Sequence, residues 1–134
     1  MAESAPTPHR PLRVFVVEDN EDTRDMLSRL LVVMGHEVRG AASMHEALHK
    51  LPEADPDVII SDIGLPDGDG HDLLRLARLE RPVYAIAMSG YGTAADRERS
   101  AAVGFRHHLV KPMDIVRLEG MLAEAARECE ALRH

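Results

Sequence analysis

The sequence predicts an α/β fold: five strand–helix units, (βα)5, doubly wound into one parallel sheet with helices on both faces. Short apolar, β-branched runs occur at Leu12–Val17, Asp57–Ser61 and Val83–Met88. They suit strands buried on both sides better than half-exposed antiparallel strands, which would alternate apolar with polar. Stretches with apolar residues at helical spacing alternate with these runs, as parallel connections require. Each run also stops abruptly at polar or charged residues.

Residues 1–11, with three prolines and little apolar content, read as a flexible leader. Leu12–Val17 is the first strand and leads into Glu18-Asp19-Asn20. Met26, Leu27, Leu30, Leu31 and Met34 then fall on one face of a helix that Gly35 ends. Glu37–Ala41 is a short strand and Ser43–Leu51 a helix. Asp57–Ser61 is a buried strand ending at Asp62. A loop rich in Gly, Pro and Asp (residues 64–70) precedes a helix through Leu73, Leu74 and Leu76. Val83–Met88 is a strand ending at Ser89-Gly90. Thr93–Val103 is a polar helix closed by Gly104. His107–Val110 is the last strand, ending at Lys111-Pro112. Asp114 caps a final helix carrying Ile115, Leu118 and Leu122.

The 134 residues suit one domain, 45% apolar and 29% charged, with no Trp, two Tyr and two Phe, so the core is aliphatic. The net charge of -7 argues against a nucleic-acid surface, which needs clustered Lys and Arg. A single cysteine, Cys129, allows no internal disulfide and reads as a helix-surface thiol in a reducing compartment. No apolar run reaches the length of a membrane span, and the N-terminus lacks a signal-peptide core. A cytoplasmic protein is expected, with no membrane partner.

Ligands of such sheets bind beyond the carboxyl ends of the strands. The residues there are Glu18 and Asp19 after the first long run, Asp62 after the second, Ser89 after the third and Lys111 after the last strand. Crowded carboxylates repel unless a cation joins them, and a hard divalent cation such as Mg²⁺ answers that need with carboxylates, waters and a phosphate. An Asp carboxylate can attack phosphorus. Phosphoryl transfer asks mainly for positioning and charge neutralisation, which Mg²⁺ and Lys111 would supply, with Ser89 hydrogen-bonding a phosphoryl oxygen. Each residue alone is ordinary at a strand end or loop; their joint placement carries the reading.

The stretches VFVVEDN, DVIISDIGLPDGDG, YAIAMSGYG and GFRHHLVKP together resemble the receiver domains of two-component response regulators over about residues 12–125. The resemblance implies a flavodoxin-like sheet of order 2-1-3-4-5, with the receiver over residues 12–127 and a tail over 128–134. It also implies roles: Asp62 as the phosphorylated residue, Asp19 as a direct metal ligand, Glu18 acting through water, and the backbone carbonyl of Gly64 on the metal. Ser89, followed by Gly90, matches the switch position. Lys111 matches the phosphate-pairing lysine, with a cis peptide to Pro112. Partners implied are a histidine kinase or a histidine phosphotransfer protein, and an effector reading the face of helix 4, strand 5 and helix 5, since no output domain is visible. One place departs from the family: where Tyr or Phe usually reports the signal, the residue is His108. It either switches as that ring does or lies on the surface of an edge strand.

Competing motifs are weaker. His45-Glu46-Ala47-Leu48-His49 matches the H-E-x-x-H zinc pattern, but Ser43 with Glu46 is a capping box and Met44, Leu48 and Leu51 form a buried stripe. Asp67–Gly70 fails as a calcium loop, because its twelfth position is Arg78. A flavin phosphate would be repelled by Glu18-Asp19. Two alternatives stay open: a receiver belonging to a hybrid histidine kinase or serving as a phosphate sink, and a small metal-dependent phosphatase with an Asp nucleophile. The phosphatase would need an acid two residues after Asp62, where Gly64 stands.

Overall fold

The computed structural model describes residues 11–90 and 92–132; the expected leader up to residue 10 and the last two tail residues lie outside them. Strand β1 (Arg13–Val17) is followed by α1 (Glu21–Val33), β2 (Glu37–Ala41), α2 (Met44–Ala54) and β3 (Val58–Asp62). A two-stranded hairpin (Gly64–Leu65 with Gly68–Asp69) and a 3₁₀ turn (Gly70–Asp72) lead into α3 (Leu73–Ala77). Then come β4 (Tyr84–Ser89), α4 (Ala94–Ala102), β5 (His107–Val110) and α5 (Ile115–Leu132).

All five strands pair in parallel in the order β2-β1-β3-β4-β5, the expected doubly wound sheet. Alternate residues of each strand serve opposite faces. Val14, Val16, Val58, Ile60, Ile86 and Met88 pack with Leu27 and Leu31 of α1 and with Leu118 and Leu122 of α5. On the other face Phe15, Val17 and Ile59 pack with Met44, Ala47 and Leu51 of α2 and Leu73 of α3. Among the described residues, the small Ala85 and Ala87 form a small apolar cluster beside β4 with Phe105, Ile63 and Leu74, so the apolar core is thin at this corner.

Helix ends follow the local signals. Asn20, Ser43 and Thr93 each accept a bond from the amide three residues on. Glu46 returns the capping-box bond to the Ala42 amide at 2.7 Å, which gives Glu46 of the H-E-x-x-H pattern its structural purpose. Gly35 and Gly104 take positive φ after α1 and α4.

Packing moves several residues from their expected places. Met26 is 61% exposed, because the stripe of α1 facing the sheet is centred on Leu27 and Leu31. Leu76 and Ile115 are also exposed, the first because α3 is only five residues long. Helix α2 runs through Pro52 to Ala54 instead of stopping at Leu51. Residues 64–70 form a hairpin and the start of a 3₁₀ turn in place of an open loop. Helix α5 continues past residue 127 to Leu132, so Glu128 is helical, and Cys129 lies on the helix as expected but half-buried against the core.

Candidate acidic site at the strand ends

The sheet brings the strand-end residues together. Glu18, Asp19 and Asp62 each offer a carboxylate oxygen within 4.8 Å of the others. Glu18 and Asp62 are buried, while Asp19 is exposed. Lys111 arrives from the end of β5 and bridges the two buried acids. Its Nζ lies 2.5 Å from Glu18 Oε1 and 2.8 Å from Asp62 Oδ2. Three carboxylates and one ammonium leave a formal charge of two negative, which suits a divalent cation with oxygen ligands. The donor set therefore fits Mg²⁺.

Burial raises Glu18 above its ordinary carboxylate value, and the negative charge of Asp62 pushes the same way, against hydrogen bonds from Lys111 and the Asn20 amide. Burial opposes the Lys111 ammonium, yet its bonds to Asp62 and Glu18 prevail and hold it above the usual lysine value. The second oxygen of Asp62, Oδ1, accepts from the Gly64 amide at 3.0 Å. Gly64 thus touches Asp62 through its N–H, on the hairpin directly after β3.

Gly70 has a steric reason to be glycine. A Cβ there would lie 2.3 Å from the Asp62 carbonyl oxygen and 2.8 Å from Ile63 Cα. Its amide donates to the Ile63 carbonyl at 2.7 Å, so the hairpin folds back directly onto the backbone of the acidic site.

Ser89 ends β4, followed by exposed Gly90. Its Oγ lies 2.7 Å from His108 Nε2. His108 is 9% exposed, its ring turned into the thin corner beside β4 instead of outward from the edge strand. The Lys111–Pro112 peptide is cis. His45 and His49 are exposed on α2, away from the acids. The residues that sequence reasoning missed are Ser100, His71 and Asp69. Ser100 is the buried residue of α4, and its Oγ lies 2.9 Å from His108 Nδ1. A hydroxyl on a helix with no large apolar residue was the available signal.

The response regulator receiver domain family matches residues 14–123. An uncharacterized 14.6 kDa protein of Leptolyngbya boryana is 36% identical over 109 residues, covering 78% of this chain and 82% of that one. The response regulator protein PilR of Pseudomonas aeruginosa is 31% identical over 116 residues, covering 86% of this chain and 26% of PilR, so this chain spans about a quarter of that relative. The solved receiver domain protein of Methanospirillum hungatei superposes with a TM-score of 0.82 at 27% identity, covering 90% of this chain and 98% of that one. With the acidic cluster, the lysine bridge and the sheet order all in place, the chain belongs to the response regulator receiver domains of two-component systems.

Proposed function

We propose that this receiver accepts a phosphoryl group on Asp62 in a Mg²⁺-dependent reaction, from a histidine kinase or a histidine phosphotransfer protein. One observation carries it: the oxygens of Glu18, Asp19 and Asp62 within 4.8 Å, with Lys111 bonded to both buried acids. Bound Mg²⁺ would neutralise charge on the phosphoryl oxygens, held by Asp19 and Asp62 directly, by Glu18 through water and by the Gly64 carbonyl. An Asp62 carboxylate oxygen forms the new bond to phosphorus as the bond to the donor's histidine nitrogen breaks. Lys111 then pairs with a phosphoryl oxygen, and Ser89, beside the Gly90 amide, donates to another. His108 sits against Ser89 and passes that change toward α4, β5 and α5, where an effector would read it.

A phosphatase is disfavoured because Gly64, two residues after Asp62, has no side chain to move a proton. The test is intact-mass measurement after incubation with Mg²⁺ and acetyl phosphate. Wild type gains one phosphoryl group and Asp62→Asn gains none; equal labelling of the two removes Asp62 as acceptor.

A further inference from the structure

A chain of buried polar groups leads away from Ser89. Ser89 Oγ lies 2.7 Å from His108 Nε2, and His108 Nδ1 lies 2.9 Å from Ser100 Oγ. Ser100 Oγ lies 3.1 Å from His71 Nε2, and His71 Nδ1 lies 2.8 Å from Asp69 Oδ1. Ser89, His108, Ser100 and His71 are all buried, His71 at 2% exposure. Asp69 is reached by solvent and bonds to Arg99 on α4.

With both imidazoles neutral, the direction of every bond follows from donor arithmetic. An ionised carboxylate only accepts, and a neutral imidazole has one donor and one acceptor nitrogen. Asp69 is kept ionised against the opposing effect of its burial, by the His71 amide and ring and by Arg99, which together hold it below the ordinary carboxylate value. With His71 neutral, its Nδ1–H donates to Asp69 and its Nε2 accepts from the Ser100 hydroxyl. Ser100 has then spent its proton, so His108 Nδ1–H donates to Ser100. His108 Nε2 is left to accept from the Ser89 hydroxyl.

We infer that Asp69, His71 and Ser100 are positioning residues that aim the Ser89 proton away from Asp62, so that donation by Ser89 to a phosphoryl group reverses the whole relay and takes up one proton from solvent. This rests on the phosphoacceptor reading. Ser89 has one hydroxyl proton. Once it donates to a phosphoryl oxygen, His108 must present Nε2–H to Ser89 and accept at Nδ1 from Ser100. Ser100 then cannot donate to His71, whose Nε2 gains a proton while Nδ1–H stays on Asp69. The proton balance is one H⁺ from solvent onto His71. His108 shares its cleft with Arg97, Arg106 and Arg117, with His107 at its edge, whereas His71 faces the Asp69 carboxylate, itself paired with Arg99. One linked proton weakens phosphoryl-mimic binding tenfold per pH unit wherever His71 is neutral in the free protein and charged in the bound one.

The experiment uses Mg²⁺ and beryllofluoride on the full chain. Imidazole ¹⁵N NMR of the free protein near pH 8 is expected to show Nδ1–H with bare Nε2 on both His71 and His108. The mimic is expected to shift His108 to the Nε2–H form and to protonate His71 at both nitrogens. Titration calorimetry in two buffers of different ionisation heat should give nearly one more proton taken up by wild type than by Ser100→Ala, with Ser100→Thr restoring the difference. Nε2–H on either ring of the free protein overturns the inference, as does an unchanged His108 tautomer with the mimic bound, or equal proton uptake by wild type and Ser100→Ala. Failure of the mimic to bind wild type at all overturns the phosphoacceptor reading instead, and the free-protein tautomers still judge the relay.

Discussion

Replacing Gly70 with Ala tests how the hairpin holds the acidic site. The new Cβ would meet the Asp62 carbonyl oxygen at 2.3 Å, whereas ordinary contact begins at 3.4 Å, so backbone must part by about 1 Å. Neither side is a flexible side-chain tip: one is the last residue of β3, the other the turn that donates to the Ile63 carbonyl at 2.7 Å. Overpacking of this kind costs about 1–3 kcal/mol, and the strained hydrogen bond adds about 1 kcal/mol. At roughly 4 °C per kcal/mol for a domain of this size, the melting temperature should fall by about 8–16 °C. The displaced residue is Asp62 itself, so labelling by acetyl phosphate should slow by up to about 100-fold per Å of misplacement. The control is Gly68→Ala, whose Cβ would meet the Met44 Cε at 3.3 Å, the end of a side chain that can swing away. Thermal melts and mass-resolved labelling time courses of both variants decide the matter. If Gly70→Ala melts and labels like Gly68→Ala, the close approach does not hold Asp62 in place.

Two predictions concern the acids. Asp19→Asn should weaken Mg²⁺ binding more than Glu18→Gln, as followed by backbone NMR titration; unchanged affinity in the Asp19 variant would end its assignment as a direct ligand. Glu18 is held above its ordinary value when folded, so the stability it contributes is full below the unfolded value and lost as pH rises through the folded one. Glu18→Gln should therefore raise the melting temperature of the metal-free protein at pH 7, with the gain shrinking toward pH 4; a gain independent of pH would show that repulsion and burial of that charge are not the cause.

The strands and the gathering of Glu18, Asp19, Asp62 and Lys111 were legible because a parallel sheet puts its strand ends on one edge, while the strand order came from the family resemblance. β1, β3 and β4 are largely apolar runs, whereas β2 (EVRGA) and β5 (HHLV) are not, and each site residue stands where a strand stops, so a one-dimensional pattern was enough to find it. The capping box at Ser43 and Glu46 was legible for a similar reason, since both partners lie within one helical turn. Which stripe of a helix meets the sheet was less so: Met26 and Ile115 keep helical spacing with buried neighbours yet face outward, because rotation of a helix about its axis is decided by packing. The bridge from Lys111 to Glu18 joins residues 93 positions apart and depends on the cross-sheet geometry of β1 and β5. His108 left two readings open, and only the tertiary structure turned its ring inward. His108 stands opposite Ala87 of β4, where its ring meets Ser100 of α4, which in turn meets His71 of the turn before α3. A serine on α4 and a histidine after Gly70 carry no local mark of each other, 29 residues apart; the packing of α4 against β5 and the turn made them neighbours, and their burial obliged them to satisfy one another's hydrogen bonds.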